Sequence, residues 1–100
     1  MHQPQSPLDT VQAHVFISGV VQGVGYRFSA QDMALLLKLN GWVRNLRDGR
    51  VEATFVGSPA QVDEMIRWCH HGPPAAIVKE VIVEYEPPEK FQGFEVRRSG

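Results

Sequence analysis

Twice in this chain four apolar residues fall at i, i+3, i+4 and i+7: Ala30, Met33, Ala34 and Leu37, then Val62, Met65, Ile66 and Cys69. That spacing lines one face of a helix, and such a face needs a partner surface to cover it. The flanking segments supply one. Val11, Ala13, Val15 and Ile17 alternate with Gln12, His14, Phe16 and Ser18, the period of a strand whose odd positions point inward. Trp42 to Leu46 and Val51 to Val56 read as a second and third strand, Ile77 to Tyr85 as a fourth, and Phe94 to Arg97 as a short last one. The order is strand, helix, strand, strand, helix, strand, with one further short strand. It predicts an α+β, ferredoxin-like βαββαβ sandwich: an antiparallel sheet, two helices on one face and a short extra C-terminal strand.

Turn chemistry agrees with that order. Gly19 is expected to end the first strand, and the first helix to start near Tyr26 or Arg27. Asn40-Gly41 is expected to stop this helix, with Gly41 suited to a left-handed C-terminal cap. Asp48-Gly49 is a two-residue hairpin signal. Ser58, Pro59 and Gln61 provide a cap, a first helical residue and the third member of a capping box. Gly72 closes the second helix, Pro73-Pro74 prevent its continuation, and Pro87-Pro88 break the fourth strand.

One hundred residues, 43% of them apolar, suffice for one core and not for two. The domain is expected over residues 11–98, after a loose, flexible N-terminal tail over residues 1–10 that is polar and carries Pro4 and Pro7. Ten basic against eleven acidic side chains leave no global positive field to recruit nucleic acid, and no polybasic run marks a membrane surface. Any anion site must be local. No apolar run reaches the ~20 residues that span a bilayer. The N-terminus lacks the charged-then-apolar pattern of a secretory signal, and the single cysteine, Cys69, fits a reducing compartment. A cytoplasmic location is the expectation.

Chemistry concentrates between the first strand and the first helix, in Gly19-Val20-Val21-Gln22-Gly23-Val24-Gly25-Tyr26-Arg27. A glycine-rich strand-to-helix turn can aim freed backbone amides into one concavity, and the helix N-terminus adds roughly half a positive charge. Arg27 sets a planar cationic fork at the rim, matched to phosphate oxygens. The run is neither a dinucleotide fingerprint nor a Walker loop. Between Gly19 and Arg27 there is no Cys, Ser, Thr, Asp or His, so none of these nucleophiles is present there to form a covalent phosphoenzyme. Attack on a bound phosphoryl group is left to water or to a second substrate, in line with the leaving group.

That run, with Gly41-Trp42-Val43-Arg44-Asn45, Asp48-Gly49-Arg50-Val51, and the later Gly57, Trp68, Gly72-Pro73 and Phe94, closely resembles the acylphosphatase family. The resemblance extends roughly from Val11 to Arg98. It implies hydrolysis of the carboxyl-phosphate bond of small acyl phosphates to a carboxylate and inorganic phosphate, without metal or organic cofactor. It further implies a ferredoxin-like fold; a monomer is the expectation, and the charge balance argues against a nucleic-acid or membrane partner. By the same resemblance, Arg27 is the phosphate-binding arginine and Asn45 the asparagine that positions the attacking water. The amides of Gly19, Val20, Val21, Gln22, Gly23 and Val24 would then hold the phosphate. Two departures stand out: Tyr26 where phenylalanine is common, and Leu46 after the asparagine where some members carry a hydroxyl.

Other conspicuous residues have plainer readings. His70-His71 at a helix end favour a solvated terminus over a metal site. His14 points outward from the first strand to the surface. Cys69 falls on the core stripe and is expected to be buried, and Trp42 and Trp68 to pack. Arg44, Arg47 and Arg50, around the hairpin, and Glu80, Glu84 and Glu86, on the fourth strand, read as solvated charges. Two rival functions are a non-catalytic carbamoyl phosphate module of a larger carbamoyl-transfer protein, and RNA binding. The third strand, Val51-Glu52-Ala53-Thr54-Phe55-Val56, lacks the basic glycine-aromatic motif of RNA-recognition domains. A hydrolysis assay separates the first rival.

Overall fold

A computed structural model describes residues 9–100. The tail expected over residues 1–10 lies outside the described residues except for Asp9 and Thr10. The elements are β1 (Val11–Val20), α1 (Tyr26–Leu36), β2 (Asn40–Asn45), β3 (Val51–Gly57), α2 (Pro59–Cys69), β4 (Ile77–Glu86) and β5 (Phe94–Val96). The sheet runs β4-β1-β3-β2-β5. The fold is ferredoxin-like, as the periodicity predicts.

The alternation in β1 places Ala13, Val15 and Ile17 on the helix side, where they are buried with Val43 of β2 and Val51, Ala53 and Phe55 of β3. Onto this surface α2 lays Val62, Met65 and Cys69, over β1 and β3, while α1 lays Ala30 and Ala34 against β2 and β5. Phe55 and Phe94 stack with ring centroids 5.6 Å apart, which fastens β5 to the core. Burying one such side chain contributes ~1.5–3 kcal/mol.

Three features of the fold differ from the sequence expectation. β1 does not stop at Gly19. A bulge between Ser18 and Gly19 lets the ladder continue as Gly19↔Val78 and Val20↔Ile77. α1 is not capped by Gly41. It ends in a Schellman turn, with Leu39 N–H bonded to Ala34 O at 2.8 Å and Lys38 N–H to Leu35 O at 3.1 Å. The left-handed residue is Lys38, at φ 60°. Gly41 lies inside β2, where a Cβ would collide with the Thr54 carbonyl. Its lack of a side chain therefore serves close strand approach and not helix termination.

The third difference is that the sheet is not wholly antiparallel. β5 pairs with β2 in parallel. After β4 the chain passes the start of β1, where Gln12 Oε1 accepts from Glu89 N–H at 2.8 Å. It then meets the start of β2, where Gly41 N–H bonds to Gly93 O at 2.9 Å. Having reached the far edge of the sheet at the end where β2 begins, it can only run alongside β2 in the same direction.

α2 follows its expected signals. Ser58 Oγ accepts from Gln61 N–H at 3.4 Å, and Pro59 opens the helix. The capping box is not reciprocal, because Gln61 Oε1 accepts from the Ser58 hydroxyl at 2.8 Å. Gly72 N–H closes the end of the helix on Trp68 O at 2.8 Å.

Candidate active site

The segment after β1 turns sharply through Gly23 and Gly25, at φ 75° and 80°, a left-handed conformation that disfavours any residue with a Cβ. Gly25 is the N-cap of α1 and, having no side chain, leaves the helix N-terminus uncapped. The first hydrogen bond of the helix runs from Ser29 N–H to Gly25 O at 3.0 Å. Among the described residues, the amides from Gln22 to Phe28 make no backbone hydrogen bond. The first turn carries no acidic residue. A row of free donors and the positive end of a helix thus share one short segment, the arrangement that attracts an anion.

Gly19 and Val20 are engaged in the β1–β4 ladder, and the Val21 side chain is buried in the core. Of the Gly19-to-Val24 span expected from the sequence, Gln22, Gly23 and Val24 fall in this row of free amides, and the row continues through Gly25, Tyr26, Arg27 and Phe28. Arg27 stands in the first turn of α1. Arg44, Arg50, Arg67 and Arg97 each have a carboxylate between 2.7 and 3.8 Å away. Among the described residues Arg27 has none, and its guanidinium lies 5.6 Å from the Phe28 ring centroid.

Asn45 is the last residue of β2. It pairs with Val51, in register with Val43↔Ala53, so its side chain shares the helix side of the sheet with those buried residues. Its Oδ1 is buried and has no hydrogen-bond partner among the described residues. A buried carbonyl left unpaired is unusual and costly. The glycine loop reaches this neighbourhood through Gln22. The Gln22 carboxamide donates from Nε2 to Leu46 O at 2.7 Å and to Arg50 O at 2.9 Å. Those two carbonyls flank the Asn45↔Val51 pair. Sequence pattern gave Gln22 only a backbone role, because nothing local to residue 22 announces a partner 24 or 28 residues on.

Tyr26 uses the hydroxyl that phenylalanine would lack. It is buried, and its OH donates to Cys69 O at 2.8 Å, tying the start of α1 to the end of α2. Burial first, then the Cys69 neighbourhood, raises its pKa. The Cys69 thiol is fully buried and pushed up to about 12 by burial, which leaves it without thiolate character at neutral pH. Among the described residues, no group of three or more His, Cys, Asp or Glu is placed to hold a metal ion, and no helix is long and apolar enough to cross a membrane.

The sheet face away from the helices holds an ionic cluster. His14 is not a free surface residue: Nε2 lies 2.6 Å from Glu52 and Nδ1 2.9 Å from Glu86. Glu52 also accepts from Arg44 Nε at 2.7 Å. A neutral imidazole has one N–H, so only imidazolium donates to both carboxylates. Burial pulls the His14 pKa down, but the hydrogen bonds and charges of Glu52 and Glu86 outweigh it and hold it above its ordinary value. Burial pushes Glu52 up, and His14 and Arg44 overcome that to hold it low. A raised histidine pKa stabilises the fold below about pH 6.5, the unfolded value, and the gain is lost as pH rises through the folded value. The melting temperature should therefore fall as pH rises from about 6.5 through the folded-state value of His14. Thermal melts of His14→Gln should lack this decline. An equal decline in the variant would show that another group causes it.

The α+β sandwich, with an uncapped, glycine-preceded helix N-terminus and an arginine that has no ion pair among the described residues, defines a class: ferredoxin-like proteins with a glycine-rich first strand–helix junction. Known proteins make the assignment narrower. The sequence profile of acylphosphatases matches residues 13–96. An acylphosphatase of Trichormus variabilis is 61% identical over 95 residues, covering 95% of this chain and 92% of its own length. The solved acylphosphatase of Coxiella burnetii superposes with a TM-score of 0.88 at 37% identity, over 95% of this chain and 100% of that one. That of Bacillus subtilis gives 0.85 at 32%, over 87% and 98%. The chain belongs to the acylphosphatase family.

Proposed function

We propose that the chain is an enzyme that hydrolyses acyl phosphates, with the phosphoryl group seated on the loop amides, Arg27 neutralising its charge and Asn45 aligning the attacking water. The observation that carries this is the unbroken row of free amides from Gln22 to Phe28 at an uncapped helix N-terminus, with Arg27, unpaired among the described residues, within the same row.

An acyl phosphate is a mixed anhydride with a good leaving group, so its hydrolysis asks for placement and charge stabilisation more than for covalent chemistry. Water attacks phosphorus opposite the acyl oxygen. The phosphorus–acyl oxygen bond breaks, and the carboxylate departs with the bonding pair. A phosphate oxygen takes the proton of the water, since a carboxamide is not a base at neutral pH. Asn45 Oδ1, buried and unpaired, is suited to accept a hydrogen bond from that water. The amides and Arg27 meet negative charge as it spreads over the equatorial oxygens. Recognition falls on the phosphate and hardly on the acyl group, so broad acyl specificity follows.

Inorganic phosphate should inhibit competitively against benzoyl phosphate and raise the melting temperature. At one hundred times its dissociation constant the stabilisation is ~2.7 kcal/mol, a shift of roughly 10–20 °C for a domain of this size. Millimolar phosphate that moves neither the melting temperature nor the apparent KM would show that the loop is not an anion site.

A further inference from the structure

We propose that the Gln22 side chain is a positioning residue, which holds the hairpin carrying Asn45 in register with the anion loop. The inference rests on the reading of Asn45 as the water-aligning group and concerns how that group is kept in place.

β2 and the glycine loop are not neighbours in the sheet. β1, which feeds the loop, is separated from β2 by β3. In register, Ile17 faces Val51 and Val51 faces Asn45, so Asn45 lies two strand spacings, ~10 Å, from β1. In-line attack needs the water and the phosphoryl group at ~3–3.5 Å with fixed direction. A tie between the loop and the end of β2 is therefore required, and Gln22 is the side chain that makes it.

The tie is made where it controls Asn45. Leu46 N–H bonds to Arg50 O at 2.8 Å, closing the neck of the hairpin one residue beyond the Asn45↔Val51 pair. Gln22 Nε2 donates to carbonyls on both sides of that neck, at 2.7 and 2.9 Å. One carboxamide thus clamps both strands of the hairpin at once, so neither can slide or twist against the loop without breaking a bond. The Gln22 amide N–H belongs to the backbone and survives side-chain replacement. Clamp and cradle can thus be tested apart.

The experiment uses purified full-length protein, benzoyl phosphate as substrate, inorganic phosphate as inhibitor and a thermal melt on each preparation. Gln22→Met keeps the length and removes the donors. Its kcat should fall about 10–100-fold per folded molecule, while the phosphate inhibition constant stays within about threefold. In an Asn45→Ala background the same change should alter kcat by less than about threefold, because the group it positions is already gone. Gln22→Glu, an acceptor facing two carbonyls, should be no more active than Gln22→Met. Full activity in either folded variant would overturn the proposal. So would an undiminished effect in the Asn45→Ala background, or a loss of phosphate affinity in step with kcat, which would mean that Gln22 shapes the cradle. If Asn45→Ala alone keeps its kcat, the reading of Asn45 fails and the clamp has nothing to position. A normal Asn45→Ala loss with an inert Gln22→Met removes the clamp alone.

Discussion

Arg27→Ala should lower kcat/KM for an acyl phosphate by at least about 10²–10³-fold, and weaken phosphate inhibition with it, while the protein stays folded. The loss corresponds to ~3–4 kcal/mol of transition-state stabilisation. Arg27 makes no ion pair with a described residue that its removal would break, and its stem lies on the first turn of α1, outside the buried stripe of Tyr26, Ala30 and Ala34. Stability should therefore change by no more than about 0.5 kcal/mol, as at other surface positions. Arg27→Lys should recover little, because an ammonium cannot present two parallel N–H groups to a phosphate edge. Steady-state kinetics and a melt on one preparation check all three statements. Near-normal turnover in folded Arg27→Ala would remove the arginine from the site.

Asn45→Ala should separate chemistry from binding. The cradle amides and Arg27 are untouched, so the inhibition constant for phosphate should change by less than about threefold. The water loses the acceptor that fixes its direction, and kcat should fall about 10²-fold or more. The backbone bonds of Asn45 are independent of its side chain: it pairs with Val51, and its carbonyl accepts from Gly100 N–H at 2.9 Å. Removing a buried, unpaired carbonyl oxygen should leave the melting temperature unchanged or raise it. A residue that only supported the hairpin would show the opposite pattern, with lower stability and full kcat per folded molecule.

The order of elements is legible in the sequence because period 2 and period 3.6 are local properties. The Ser58-Pro59 start of α2 is equally local and lies where its residues place it; Asp48-Gly49 does mark a hairpin, but the bond from Leu46 N–H to Arg50 O leaves three residues, Arg47, Asp48 and Gly49, in its loop rather than two. The other departures all involve partners distant in the chain. Lys38 takes the left-handed position at the end of α1 because Gly41, the better candidate by type, is needed in β2 to let the Thr54 carbonyl approach. The parallel pairing of β5 follows from the path of residues 87–93 past Gln12 to Gly41, which no periodicity encodes.

The site divides in the same way. A glycine-rich strand-to-helix junction followed by arginine marks a candidate anion cradle by its own residues. Asn45 has no such local signature; only resemblance singles it out. His14 alternates outward as read, yet its surroundings are set by Glu52 and Glu86 on two other strands, which hold a nominal surface residue between two carboxylates. Gln22 likewise reads as one more loop amide until the fold brings Leu46 and Arg50 beneath its side chain.

Hydrolysis of benzoyl phosphate in ¹⁸O-labelled water, with a chelator present and Arg27→Ala as the background control, tests the central claim most directly. Water attacking phosphorus on the amide cradle predicts enzyme-dependent release in which each inorganic phosphate carries one solvent oxygen and the benzoate carries none. Label in the benzoate, or release no faster than with Arg27→Ala, would contradict it.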